Sequence, residues 1–265
     1  MKLHRFFAKH PVFTVAELDD YLGGNNKNTR NSLLTYHRRS ENILPVRRGL
    51  YAVVTPGASA ETASLDPYLL ASKMTVDATL AYHTALVIHG KAYSVYHRFT
   101  YLSERPSQPV HFRGYDFRCV VVSKALRKKG KESFGVEQVE RVGIPVRVTD
   151  LERTLVDALD RPDLCGGWEE VWRSLESIEY VKLDEVAEYV RLLGKSTTAA
   201  KVGFFLQQHA DALMVDDKQL GKLRKLAPRQ PHYLDRSRRG GGTFLSEWNL
   251  IVPEAVIKRS WAEVT

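Results

Sequence analysis

The chain has 265 residues, 43% of them hydrophobic and 26% charged, with a formal net charge of +8. This is an ordinary globular composition at a length suited to about two domains, which excludes a disordered chain. Cys119 and Cys165 have neither metal-site spacing nor a disulfide framework, charges interrupt Phe6-Phe7 so that no signal peptide is expected, and no apolar run approaches the roughly 20 residues of a membrane helix. A cytoplasmic location with reduced thiols is expected.

In chain order, Thr14-Val15-Ala16-Glu17 has the form of a capping box and opens a helix over 14–21. Val15, Leu18 and Leu22 give that helix a buried side. Gly23 and Gly24 permit the positive φ that ends it, and Asn25 or Asn26 is placed to cap a second helix over about 27–40. There Leu33, Leu34 and His37 recur at helical spacing and face inward. Asn28, Ser32, Thr35 and Arg39 take the opposite face, with Asn31 and Tyr36 on its flanks. Residues 43–54 then alternate as a two-stranded wing with Arg47, Arg48 and Gly49 at its tip. Helix, turn, helix and wing over 1–55 is the order of a winged helix-turn-helix.

Charge supports a polyanionic partner for this segment. Residues 1–55 hold nine Lys/Arg against four acids. Short polar side chains on the N-terminal half of a recognition helix can bond base edges in the major groove, and arginines grip phosphates. The expected DNA-binding residues are Lys27, Asn28, Thr29, Arg30, Asn31, Ser32, Thr35, Tyr36, Arg38, Arg39, Arg47 and Arg48. Two blander readings stand beside this one: a plain polar turn over 25–28, and a β-hairpin with a solvated basic corner.

Residues 56–65, rich in Pro, Gly, Ala and Ser, read as a linker to a larger domain over 66–265. Asp66-Pro67 starts a helix, and a second is expected over 79–89. Strands are expected over 99–102, 110–112, 117–122, 136–139 and 146–148, with turns at 113–116 and Gly143 marking hairpins of an antiparallel sheet. Thr149-Asp150-Leu151-Glu152 reads as a second capping box, opening a helix over 151–159 with an apolar stripe. Helices over 168–177, 183–193, 197–209 and 217–226 come next, then an irregular or extended tail containing Phe244, Trp248 and Leu250. The whole is an α+β protein: a winged helix, then a mixed domain with an antiparallel sheet and a helical C-terminal half.

Catalytic chemistry finds little support. His83 and His89 lie six apart on one expected helix and no clustered Cys/His pattern occurs. Gly240-Gly241-Gly242 after Arg236, Arg238 and Arg239 lacks a P-loop lysine and reads as a loop. Glu152 has a capping role, and Asp157 with Arg153 reads as an i,i+4 ion pair. No catalytic residue, metal or cofactor is expected. The basic runs 124–131 and 218–239 read as solvated faces or as auxiliary contacts to a macromolecule.

Four segments carry a resemblance that spans nearly the whole chain: Val46-Arg47-Arg48-Gly49-Leu50-Tyr51-Ala52-Val53-Val54, Asp66-Pro67-Tyr68, Ala81-Tyr82-His83-Thr84-Ala85-Leu86 and Val148-Thr149-Asp150-Leu151-Glu152-Arg153-Thr154-Leu155-Val156-Asp157. In these the chain resembles the AbiEi-type antitoxins of type IV toxin–antitoxin systems. The resemblance implies an N-terminal winged helix that represses its own operon at inverted repeats of operator DNA. It also implies a C-terminal domain that counters a nucleotidyltransferase-like toxin, whether indirectly, by contact or by modifying it. No catalytic residue carries over. Other readings are a ligand-responsive regulator of defence genes, or an enzyme acting on nucleic acid or on the toxin.

Overall fold

The computed structural model describes residues 2–24, 27–235 and 241–259. The chain opens with helix α1 (Lys2–Lys9), strand β1 (Val12–Thr14), helices α2 (Val15–Tyr21) and α3 (Lys27–Arg39), and a hairpin of β2 (Ile43–Arg47) and β3 (Leu50–Val53). Strand β3 lies between β1 and β2, antiparallel to both. Helix α1 and strand β1 add to the expected set. Leu3, Phe6 and Phe7 stand three and four residues apart, so α1 has one apolar side, and Leu3 and Phe6 are buried by it.

Both faces of this small sheet are covered. Phe13, Ile43, Tyr51 and Val53 pack towards the helices with Phe6, Leu18 and Leu34. Val12, Val46, Leu50 and Ala52 point the other way, into a core shared with Leu69, Leu70, Tyr101 and Phe117. Period-two alternation therefore serves two cores, and the N-terminal elements are packed firmly against the larger part of the chain. Polar contacts reinforce the junction. The Arg47 guanidinium donates to the carbonyl of Met74 at 2.9 Å and to Ser107 Oγ at 3.2 Å, and Lys73 pairs with Glu17. Residues 56–65 lie along this junction: Ala63 is buried and its carbonyl accepts from Arg113 at 3.0 Å.

The larger part begins with α4 (Pro67–Ser72), β4 (Thr79–Leu80), α5 (His83–Ile88), β5 (Arg98–Ser103), β6 (Val110–Phe112), β7 (Tyr115–Val121), α6 (Lys124–Lys128), β8 (Val136–Arg141) and β9 (Ile144–Thr149). Its six-stranded sheet has the order β6-β7-β5-β4-β9-β8. The expected antiparallel sheet is instead mixed, because β7 runs parallel to β5 and β4 parallel to β9. The β6–β7 hairpin at Arg113-Gly114 sends β7 back beside β5 in the same direction, with β6 left at the edge. The single helix expected over 79–89 also breaks in two: Thr79 and Leu80 join the sheet, and the helix starts only at His83.

Next come α7 (Leu151–Asp160), a short 3-10 turn (Pro162–Leu164), α8 (Trp168–Glu176), α9 (Leu183–Leu193), α10 (Ser196–Gln208), α11 (Ala210–Leu213) and α12 (Asp217–Arg224). The tail expected to be irregular forms β10 (His232–Tyr233), β11 (Thr243–Leu245) and β12 (Leu250–Val252), a small sheet with β12 in its centre, and then α13 (Glu254–Ile257). The cap of α7 differs from the expected box. Asp150, not Thr149, is the N-cap and accepts from the Arg153 N–H at 2.8 Å. Thr149 ends β9 and bonds Thr154, and Glu152 reaches across to the Lys182 N–H at 2.8 Å.

Helix α7 packs between the sheet and the helical layer, and eight of its ten residues are buried, Arg153 and Asp157 included. Their i,i+4 ion pair has an Nε–Oδ2 distance of 3.4 Å. Arg153 Nη1 also donates to the carbonyls of Glu132 and Phe134 at 3.0 and 2.6 Å, and the Tyr189 hydroxyl donates to Asp157 Oδ1 at 2.8 Å. A second buried network ties α5 to α8. His83 Nε2 lies 3.2 Å from Glu170 Oε1, which also accepts from the Ser94 N–H at 2.8 Å and from Ser174 Oγ at 3.1 Å.

Two stability measurements check this packing. Gly203 on α10 lies flat against Trp248, and a β-carbon there would fall 2.1 Å from the indole Cζ3. Trp248 is fully buried and its Nε1 donates to Gln207, so it has nowhere to move. Gly203→Ala should lower stability by roughly 1–3 kcal/mol in denaturant unfolding, and an unchanged midpoint would contradict the packing. The second measurement uses pH. Burial lowers the His83 imidazole below its ordinary value, against the raising effect of Glu170. Burial raises the Glu170 carboxyl, but hydrogen bonds from Ser94 and His83 outweigh it and leave it below its ordinary value. Both folded values are depressed, so both groups stabilise the fold at neutral pH and lose that contribution as pH falls, His83 first, below about pH 6.5. The Tm of the wild type should therefore fall more steeply on acidification than that of His83→Gln, and parallel curves would rule this out.

Candidate nucleic-acid interface

Local sequence sets the placement of α2 and α3. The Thr14 box forms as expected: Glu17 Oε2 accepts from the Thr14 N–H at 2.7 Å, and Thr14 Oγ1 accepts from the Glu17 N–H at 3.3 Å. Burial raises the Glu17 carboxyl, but hydrogen bonds from Lys73 and Thr14 outweigh this and hold it below its ordinary value. Helix α2 ends at Gly23 and Gly24, with φ of 77° and 71°, and the Gly24 N–H donates to the carbonyl of Asp19. The expected cap at Asn25 or Asn26 lies outside the described residues.

Helix α3 presents one buried side and one open side. Leu34 is buried and Leu33 packs beside it, while Phe7 meets His37 edge to face at 4.9 Å. Lys27, Asn28, Thr29, Asn31, Ser32, Thr35, Tyr36, Arg38 and Arg39 are all exposed. Asn31, Ser32, Thr35, Tyr36 and Arg39 together line a shallow concavity of about 410 Å³. Tyr36 stands 63% exposed above the helix, far more than a ring serving only the core would be. Of the cations, Lys27, Arg38, Arg39 and Arg48 have no acidic partner among the described residues.

Two expected residues do something else. Arg30 Nη1 donates to Asp19 Oδ2 at 2.6 Å while its Nε and Nη2 donate to Asn31 Oδ1 at 3.2 and 3.1 Å, so it clamps α3 to α2. Arg47 is committed to Met74 and Ser107, on the far side of the hairpin. Sequence adjacency places Arg47 and Arg48 together at a tip. The bonds to Met74 and Ser107 draw Arg47 in, and only Arg48 is exposed, next to Gly49 with its φ of 82°. Ten of the twelve expected residues are thus exposed.

The other conspicuous groups have structural partners. Arg141 Nε donates to Asp66 Oδ2 at 2.7 Å and its guanidinium lies over Tyr68, 4.2 Å from the ring centre. His89 Nε2 lies 2.7 Å from the Thr149 carbonyl oxygen. Asp150, Glu152 and Glu185 bring carboxylate oxygens within 4.8 Å of one another, but the first caps α7, the second holds the Lys182 N–H and the third pairs with the Lys182 ammonium at 3.1 Å. In the basic run 218–239, Lys222 pairs with Asp184, and Arg224 with Asp217 and Glu247. Arg236, Arg238, Arg239 and Gly240 lie outside the described residues. In the run 124–131, Lys129 donates to the Leu192 carbonyl. No described helix is long and apolar enough to cross a membrane.

No family model matches the chain, and no curated protein is similar to it in sequence. Among solved structures, the crystal structure of the RV2827C protein from Mycobacterium tuberculosis is similar in fold, with a TM-score of 0.63 over 99% of this chain and 94% of that one, at 17% sequence identity.

Proposed function

We propose that this protein is a DNA-binding antitoxin. Its N-terminal elements act as a winged helix that represses its own operon at inverted repeats, and its larger part counters a nucleotidyltransferase-like toxin. The observation that carries the DNA-binding half is the uncovered side of α3, where Asn31, Ser32, Thr35, Tyr36 and Arg39 line one concavity, with Arg48 of the hairpin also exposed. The order helix, strand, helix, helix, hairpin is that of a winged helix, in which the second of the paired helices reads the major groove. On this reading Asn28, Asn31, Ser32 and Thr35 meet base edges, Lys27, Arg38, Arg39 and Arg48 meet phosphates, and Arg30 and Arg47 position the elements that carry them.

The antitoxin half rests on the sequence resemblance alone. It has a structural counterpart in the way the resembling segments are used: Asp66, Tyr68, His83, Arg153 and Asp157 all lie within buried or partly buried networks of the larger part. Those residues hold the scaffold of the larger part, and they assign no catalysis.

Binding to the promoter DNA of its own operon should fall steeply with salt, with a log–log slope near −0.9 per phosphate neutralised. Arg39→Ala and Arg48→Ala should each flatten the slope by about 0.9 and weaken binding to all sequences alike. Asn31→Ala or Ser32→Ala should change base preference by about 1–3 kcal/mol per lost contact. Arg47→Ala should leave the slope in place and lower the Tm instead. An unaltered slope in both Arg39→Ala and Arg48→Ala would refute the assignment. Co-expression of the full chain with a nucleotidyltransferase-like product of an adjacent gene should restore growth, and the Arg39→Ala/Arg48→Ala double variant should still do so. Toxicity unrelieved by the wild-type chain would sink the antitoxin reading.

A further inference from the structure

Beyond the DNA-binding face, a cavity of about 400 Å³ opens beside α7, past the C-terminal ends of β5 and β7. Those two strands are parallel neighbours, and the crevice outside the carboxyl ends of parallel strands is where α/β sheets take ligands. Its size is within the range of small-molecule sites. Its lining includes apolar Leu102, Val120 and Leu193 and polar Tyr82, Arg153 and Lys124.

Tyr82 is the informative residue. It joins β4 to α5 with φ 57° and ψ −134°, a backbone conformation that an L-residue holds only when its surroundings impose it. The side chain is only 7% exposed, yet its hydroxyl makes no hydrogen bond with any described residue. The hydroxyl belongs to a residue of the cavity wall and bonds no described residue, so it is open to a ligand. Burial, with the carboxylates of Asp157 and Asp160 nearby, pushes this phenol well above its usual range, so it is a proton donor at neutral pH.

Cations outnumber acids in the lining. Lys124, Arg153, Arg161 and Lys195 line the cavity against only two acids, Asp157 and Asp160. Both acids are already satisfied: Asp157 by Arg153 and the Tyr189 hydroxyl, Asp160 by Lys195 and Thr198. On the donor side, Arg153 Nη2 has no acceptor among the described residues, because Nε and Nη1 make all the bonds of that guanidinium. Arg161 gives Nε and Nη2 to Asp163, which is not part of this cavity. Lys124 has no acidic partner among the described residues.

We infer that this cavity binds a small phosphomonoester, its phosphate received by the Tyr82 hydroxyl, Arg153 and Lys124 and its organic part by Leu102, Val120 and Leu193. The site is independent of the DNA-binding reading and stands or falls separately. Titration calorimetry of the full chain at fixed ionic strength, with phenyl phosphate in one arm and inorganic phosphate in the other, tests it. Saturable binding of about one ligand per chain is expected. Tighter binding of phenyl phosphate identifies an ester as the occupant, and equal binding identifies free phosphate, the anion site standing in both cases. Tyr82→Phe should weaken binding about tenfold or more, as for a lost hydrogen bond to a charged group. Its Tm should match the wild type, since the hydroxyl it removes has no partner in the protein. Lys124→Ala, at an exposed position, should weaken binding several-fold and also leave the Tm unchanged. No saturable binding in either arm, or unchanged affinity in both variants, overturns the proposal.

Discussion

The buried Arg153–Asp157 pair is the interaction on which the larger part of this protein turns. It sits in the middle of α7, and its hydrogen bonds reach outward in two directions. Arg153 takes the carbonyls of Glu132 and Phe134, at the approach to β8. Asp157 takes the hydroxyl of Tyr189, on α9, and Arg153 lies over the same tyrosine ring at 5.2 Å. Sheet, central helix and helical layer are thereby held by one pair of charges only 2% and 6% exposed. Removing one partner of such a pair leaves an uncompensated buried charge, at about 3–5 kcal/mol. The same placement explains why the adjoining cavity has an arginine in its wall with one nitrogen still open.

A second constraint couples the N-terminal elements to this scaffold. Covering both faces of a three-stranded sheet makes β1, β2 and β3 part of two cores at once. A truncation after residue 55 would uncover Val12, Val46, Leu50 and Ala52, together with the apolar surface of α4 and the large sheet that they cover. The exposed face of α3 is thus carried on a rigid mount, with Arg47, Lys73 and Glu17 as polar ties at the junction. Such a mount fixes the orientation of α3 relative to the rest of the molecule, as the proposed reading of a groove by α3 requires.

Legibility from sequence tracks the range of the interactions. Local ones are readable: the Thr14–Glu17 box, the i,i+4 spacing of Arg153 and Asp157, and the turns at Arg113-Gly114 and Gly143 all stand where spacing and turn chemistry put them. Partners chosen across the fold are not. Arg47 is drawn to residues 27 and 60 positions away, and Glu152 leaves its cap for Lys182, 30 positions on. The two-residue strand β4 is too short to show a period, so its residues read as the start of a helix. Parallel pairing of β5 with β7 depends on β6 lying at the edge, which no local pattern encodes. For the candidate interface, helical periodicity finds the open face of α3, whereas charge alone does not separate free arginines from the two that clamp.

The DNA-facing assignment of α3 is tested most directly by site-specific photo-crosslinking. A photoreactive amino acid replaces Thr35 in the middle of the exposed face, and in a second protein it replaces the exposed Met214 after α11. With promoter DNA at low salt, the Thr35 position should crosslink to bases and lose the product as salt rises, while the Met214 position gives none. Crosslinking from Met214 and not from Thr35 would show that nucleic acid meets another face of the molecule.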